Sequence, residues 1–318
     1  MNTLLVSHLS IETDKWTKPV NEIRAWAYAL KCGTYCPWLH SMWCKDDFKQ
    51  YDFLMVERKH CEPFAQWAVN NGIKVLLIEE GPLNDNNPHL DEWSKRMTLW
   101  DSVNCVGTVN DVSDIELVQS LTSTAVIDAT TPYPYEFTQK LVTPYHDRKF
   151  ILVPDRSYIF NIAVMRQFPQ EQFVTTVLID KNTNIEKMQQ LYHSMGIDNI
   201  TIYKYTDWDA YVTSILRHAK AAISLDPRQS CNRFAKDCAA FKIPMIGSST
   251  NFVANYLFSD FTVDMYDVNK AVDMLNNVLT HNTKDRVNYA NAVLAEQYDM
   301  EPSRQRFTDD LARVGMIW

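Results

Sequence analysis

Glycine is scarce, with seven residues in a chain of 318. Glycine lets the backbone take positive φ and approach a ligand closely, so few tight turns are on offer. None of the patterns G-x-x-x-x-G-K-[ST], G-x-S-x-G or H-E-x-x-H occurs. No apolar run approaches the roughly 20 residues that a membrane span needs. The opening MNTLLVSHLS has neither a basic leader nor a small-residue cleavage site, so no secretory signal is expected and the cytoplasm is the expected location. An excess of basic charge is missing too. With 31 Lys and Arg against 39 Asp and Glu, the net charge is −8, which argues against a broad grip on nucleic acid. A local basic groove remains open, with Lys15, Lys18, Arg24 and Lys31 as candidates.

Seven cysteines at irregular spacing suit free thiols in a reducing compartment. Cys32, Cys36, His40 and Cys44 recur every four residues. Along one helix they would spread over roughly 18 Å, whereas zinc needs its donors within about 2.3 Å. Pro37 is expected to break that helix and can fold the segment back, with His60 and Cys61 in reach. Packing among Tyr35, Trp38 and Trp43 is the favoured reading, and no metal site is expected.

What is present is alternation. TLLVSHL, DFLMVE, IKVLLIEE, SVNCVGTV and TAVIDAT read as strands. VNEIRAWAYAL, EPFAQWAVNNG and SDIELVQSL read as helices, the second closed by a glycine C-cap. Residues 130–149 are rich in proline and tyrosine and read as a connection. Alternation then restarts with KFILVP, FVTTVLI, ITIYKY, AAISL and IPMIGS as strands separated by helices, and a helical tail runs from Asn269 with breaks near His281 and Pro302. The pattern predicts α/β architecture: two tandem doubly wound, Rossmann-like parallel-sheet domains with a helical C-terminus. The expected bounds are 1–147, 148–300 and a final helix at 301–318 that packs back on the first domain. In such sheets ligands sit beyond the carboxyl ends of the strands, so the loops after strands deserve inspection.

The loop DPRQSCN follows the strand AAISL. Ser230 or Asn232 can cap the helix after it, whose free amides suit an anion. Arg233 adds a planar cation, and Asp237 lies one turn on, where a carboxylate can accept hydrogen bonds from a ribose diol. The bland alternative is an exposed ion pair. Arg156, in VPDRSY, follows another strand. Tyr203, Lys204 and Tyr205 end a third, with Tyr205 a candidate to stack on a base. Glu79 and Glu80 end IKVLLIEE. Adjacent strand residues face opposite ways, so one of them at most acts directly, and Glu80, nearer the loop, is the candidate catalytic base. Asp207 and Asp209 form a D-x-D at a helix start and read as capping residues. Trp16, Trp38, Trp43 and Tyr135 are candidates to line an acceptor site, with core packing as the competing reading.

The stretch DCAAFKIPMIGSS resembles the donor-binding signature of GT-B glycosyltransferases: an acidic residue opening a helix of small residues, then a turn, a proline and a short buried strand. Asp237 and Pro244 stand in the family's acidic and proline positions, and YTDWDAYVTSILRHAKAAISLD resembles the preceding helix and strand. The resemblance covers most of the second domain by pattern and the first by architecture. It implies sugar transfer from a nucleotide-sugar donor, UDP-linked in expectation, to a hydroxyl acceptor, with no cofactor and no metal. It also implies that Asp237 holds the ribose and that Arg156 faces the diphosphate. Many members carry a glutamate eight residues earlier. Here that position is Gln229, with Asp226 the nearest acid, and VSHLSIET with His8 replaces a glycine-rich first loop. The acceptor stays open between a glycan and a modified DNA base, the latter because the short length is loosely like that of phage enzymes that glycosylate such bases. If configuration is retained, Glu80 has no base role. The alternatives are an epimerase or phosphorylase of the same architecture, or a two-domain protein that binds a small ligand without turnover.

Overall fold

The structure, a computed structural model, describes residues 1–7, 23–39, 42–79, 83, 90–109, 112–154, 158–178, 184–205, 208–226 and 233–317. In chain order the first half forms β1 (Thr3–Val6), α1 (Ile23–Leu30), β2 (Gly33–Tyr35), β3 (Phe53–Glu57), α2 (Arg58–Asn70), β4 (Val75–Glu79), α3 (Leu90–Ser102), β5 (Cys105–Thr108), α4 (Val112–Leu121) and β6 (Val126–Asp128). A short helix, α5 (Tyr135–Gln139), follows. Then come β7 (Phe150–Val153), α6 (Tyr158–Met165), β8 (Phe173–Leu178), α7 (Ile185–Ser194), β9 (Ile200–Tyr205), α8 (Trp208–Ser214) and β10 (Ala219–Ser224). The rest is α9 (Arg233–Ala240), β11 (Met245–Ser248), α10 (Phe252–Leu257), β12 (Thr262–Val263), α11 (Val268–Thr280), α12 (Lys284–Tyr298) and α13 (Met300–Arg313).

The strands build two six-stranded sheets, in the orders β2-β1-β3-β4-β5-β6 and β12-β11-β10-β7-β8-β9. Every strand pairing within them is parallel. Parallel sheets are covered on both faces, so their strands are apolar throughout rather than alternating. Accordingly FLMVE, VLLIE and FILV are buried at every position. The second sheet has the strand order of a dinucleotide-binding fold, and it reverses direction between β7 and β10. The first reverses between β1 and β3. These two points fix where a ligand crevice can form.

Scarce glycine is used where nothing else fits. A Cβ on Gly107, in β5, would meet the Ala129 Cβ at 2.8 Å and the Ile78 Cδ1 at 2.9 Å. Gly72 takes φ of 70° just past α2, the left-handed closure expected of it.

Several elements differ from expectation. α2 starts at Arg58, ahead of EPFAQWAVNNG, and kinks at Cys61. Pro63 accounts for the kink, since its ring crowds the preceding turn and it has no N–H. α3 carries little periodicity in the sequence, because only Leu99 and Trp100 are buried in it. The edge strands β2 and β12 are too short to signal themselves. Residues 130–149 connect the two sheets, as expected, but with structure of their own. They carry α5, and the Tyr133 amide donates to the Tyr298 carbonyl at 2.6 Å. The last break falls at Asp299, whose side chain accepts from the Met300 amide at 2.8 Å. Pro302 sits inside the first turn of α13, where a missing N–H costs nothing.

α13 returns to the first sheet. Phe307 lies 4.2 Å from Trp26 between ring centroids, and Leu311 and Met316 join the same core as Leu5, Met55 and Ile78. The Trp26 indole N–H donates to the Ala129 carbonyl at 2.9 Å. Phe307→Ala should cost about 3–5 kcal/mol and Gly107→Ala about 1–3 kcal/mol in urea unfolding followed by circular dichroism. A loss under about 0.5 kcal/mol for either would contradict the packing described.

Candidate functional site

The strand order of the second sheet reverses where β7 and β10 run side by side, paired through Ile151 with Ala221 and Leu152 with Ala222. The two loops singled out in the sequence, after KFILVP and after AAISL, therefore leave the sheet as neighbours. Asn161 on α6 ties them, its side-chain oxygen accepting from the Leu225 amide at 3.0 Å. Arg156, Ser230 and Asn232 lie outside the described residues, as do Glu80, His8, His40, Asp207, Lys15 and Lys18. Tyr205 is the last residue of β9, two strands from β7, or roughly 10 Å at the usual strand spacing.

α9 begins at Arg233, directly after the second loop. Its Arg–Asp pair is not the exposed ion pair of the bland reading. Asp237 is 3% exposed. Its Oδ1 accepts from the Tyr133 hydroxyl at 2.7 Å and from the Trp208 indole N–H at 3.3 Å, with the Arg233 Nε 3.8 Å away. The Arg233 guanidinium also lies over the Trp208 ring, 4.9 Å from its centroid. A buried carboxylate is tolerable only with such donors around it. Burial, and then the neighbouring Asp237 charge, push the Tyr133 hydroxyl well above its ordinary pKa, so it stays a donor.

Lys236 is buried beside it. Its ammonium donates to the Thr131 carbonyl at 2.9 Å and to the Thr131 hydroxyl at 3.2 Å, and lies 4.8 Å from the centre of the Tyr298 ring. Thr131, Tyr133 and Tyr298 belong to the two stretches by which the chain passes between the sheets. At the far end of α9, Asn291 donates to the Ala239 and Ala240 carbonyls at 3.0 and 3.2 Å and accepts from the Tyr135 hydroxyl at 2.8 Å. None of these partners carried a motif. Apart from Trp208, each is a tyrosine, threonine or asparagine about 50 to 105 positions away, and no spacing in the sequence marks them.

The carboxyl edge of the first sheet holds a second buried polar cluster. The Ser7 hydroxyl, beyond β1, donates to Glu57, at the end of β3, at 2.6 Å. Glu79, 1% exposed, takes the Arg58 Nε at 2.6 Å and the Trp100 indole N–H at 3.0 Å, with Arg96 at 3.8 Å. Burial lowers the Arg58 pKa, but Glu79 and Glu62 outweigh it and leave it raised. For Arg96 burial wins and the pKa falls. Glu79 is thus locked by charge partners, and the loop bearing Glu80 leaves from a fixed point.

The cysteine cluster is not helical, because α1 ends at Leu30 and Gly33–Tyr35 is a strand. Cys36 is buried and Cys44 exposed, and no group of three or more metal-ligating side chains occurs among the described residues. Burial raises the Cys32 thiol to about 11 and Cys105 to about 12. Of the aromatic candidates, Trp43 packs against Phe64 and Trp67, whereas Trp38 is 54% exposed. No helix among the described residues is long and apolar enough to cross a membrane.

No family model and no curated protein matches the chain. Solved structures do. The chain is similar over 99% of its length to all but 1% of a sucrose-phosphate synthase (tll1590) from Thermosynechococcus elongatus, with a TM-score of 0.76 and 10% identity. It is similar over 98% to the whole of Anabaena Alr3699/HepE in complex with UDP-glucose, at TM-score 0.75 and 11% identity. It covers 76% of a UDP-forming trehalose-phosphate synthase from Burkholderia xenovorans with 85% of its own length, at TM-score 0.67 and 16% identity. The fold is GT-B, the two-sheet architecture of these glycosyltransferases.

Tyr133→Phe removes one donor from a buried carboxylate and should destabilise the protein by about 1–3 kcal/mol. Lys236→Met keeps the bulk and removes the charge, leaving the Thr131 carbonyl short of a donor, and a loss of similar size is expected. Both are measured by urea unfolding. No change in either would mean that the contacts carry no weight. In thiol labelling of the native protein near neutral pH, Cys44 should react well before Cys32 and Cys105, since thiolate is the reactive form. Mass spectrometry of labelled peptides gives the order.

Proposed function

We propose that this chain is a glycosyltransferase that moves a sugar from a UDP-linked nucleotide sugar to a hydroxyl acceptor held between the two sheets. The observation that carries this reading is the β7/β10 reversal, with α9 starting beside it, in a chain similar along nearly its whole length to a structure in complex with UDP-glucose. A parallel sheet offers its ligand site at such a reversal.

In this reading Arg233, Arg156 and the amides capped by Ser230 or Asn232 meet the diphosphate, a charge that grows as the leaving group departs. Asp237, oriented at one oxygen by Tyr133 and Trp208, meets the ribose. Tyr205 flanks the base. No metal is called on, since cations and the helix dipole supply the positive field. Glu80 takes the proton of the acceptor hydroxyl if transfer inverts configuration, and Glu79, held by Arg58 and Trp100, serves only to anchor the strand end. The acceptor's class is a hydroxyl-bearing molecule, with glycan favoured over DNA by the net charge of −8.

The first test is thermal unfolding with UDP, UDP-glucose and other nucleotide sugars. A ligand at about 100 times its Kd should add about 2.7 kcal/mol. Arg233→Gln is the informative variant, because Asp237→Ala would also strip Tyr133 and Trp208 of their acceptor. Loss of the UDP shift in Arg233→Gln supports the donor site. No shift with any nucleotide in folded wild-type protein would sink the reading and favour a protein that binds some other small ligand. For an inverting reaction, Glu80→Gln should leave the UDP shift intact and lower kcat by about 10²–10⁴-fold; unchanged turnover would remove Glu80 from the chemistry.

A further inference from the structure

A cavity lies on the amino-end edge of the second sheet. It has a volume of about 640 Å³ and is walled by residues around 142–148, by Lys242 and Pro244 just ahead of β11, and by residues 281–288 at the start of α12. Arg148 precedes β7 and Pro244 precedes β11, so the cavity sits at the amino ends of strands whose carboxyl ends form the crevice. Strand rise separates the two by roughly 15–20 Å. It is a different site.

Its lining is one-sided in charge. Arg148, Lys242 and Lys284 line it beside His281, and among the described residues no aspartate or glutamate does. Val142, Pro144, Pro244 and Val287 supply apolar wall, and Tyr145, half exposed, adds an aromatic ring. The Arg148 guanidinium is held in place. It donates to the Phe241 and Lys242 carbonyls at 2.7 Å each and to the Thr143 carbonyl at 3.0 Å, where it also closes the carboxyl end of α9. It therefore contributes fixed charge. Lys242 stands at φ of 55°, a conformation that a residue with a Cβ adopts at some cost. Lys284 opens α12, a helix of 15 residues, so the positive end of that dipole falls on the same space.

The volume exceeds what a lone oxyanion fills and lies within the range of small-molecule sites. A ligand that satisfies both halves of the lining has an anionic head and a compact apolar or planar body. We propose that this cavity binds a small organic phosphate, with Lys242 and Lys284 gripping the phosphate and Tyr145 with Val287 covering the body. The proposal stands whether or not the crevice binds nucleotide sugar.

Calorimetric titration of the full chain with phenyl phosphate, and separately with inorganic phosphate, tests it. Phenyl phosphate should bind with a Kd of about 1 mM or tighter, and inorganic phosphate at least about tenfold more weakly. The double variant Lys242→Asn/Lys284→Glu should weaken phenyl phosphate at least about tenfold. Both changes are chosen to spare the fold, since Asn tolerates positive φ and an acid at an exposed helix start is favourable. Lys284→Glu alone is the control if the double variant unfolds, and should weaken binding by about fivefold. No binding by the wild-type protein would overturn the proposal. So would equal affinity of the folded variants, which would move the phosphate to another site, or equal binding of inorganic phosphate, which would reduce the cavity to a general anion site.

Discussion

The rest of the molecule depends on the grip of α9 on the chain where it passes between the sheets. Asp237 holds Tyr133 and Lys236 holds Thr131, both on the outgoing passage. Tyr133 in turn pairs with Tyr298 and Asp299 on the returning one. Two adjacent residues of opposite charge, both buried, are costly alone and tolerable together because each is met by fixed polar partners. The geometry is consequently strict. Moving either passage leaves a buried charge without its donor or acceptor, so the relation of α9 to both passages is held by penalty as much as by attraction.

That constraint links packing to function. The amino end of α9 follows the loop that leaves β10, its middle is the clasp, and its carboxyl end is closed by Arg148 and Asn291. A ligand pressing on Arg233 acts on an element that is already tied to both passages. The first sheet has its own fixed point in Glu79, pinned by Arg58 and Trp100. Polar groups at the carboxyl ends of both sheets are thus oriented by partners from other elements, which is what precise placement of a reacting group requires.

Legibility in the sequence followed the range of the physics. Strands that are apolar at every position declared themselves, and the helices between them showed their spacing. α3 did not, because most of it is solvated. The sequence marks Arg233 and Asp237 as a candidate pair but not whether that pair is exposed or buried. An Arg and an Asp one turn apart look alike on a surface and in a core. Gly72 was readable because a left-handed residue after a helix has a local cause. Gly107 was not, because its need is the closeness of Ala129 and Ile78.

By itself the sequence determined the α/β alternation, the two parallel sheets, and which strand-end loops to inspect, since hydrophobic periodicity and cap chemistry act over a few residues. Only the tertiary structure decided that β7 and β10, which two of those loops follow, are neighbours at the reversal of strand order. It alone decided that Asp237 answers to a tyrosine 104 residues away and Lys236 to a threonine 105 away. Those pairings come from burying whole faces of helices and sheets against each other. The side chains that meet there are selected by where the packed layers place them and by the cost of leaving a buried charge unmet, and neither is written in any local spacing.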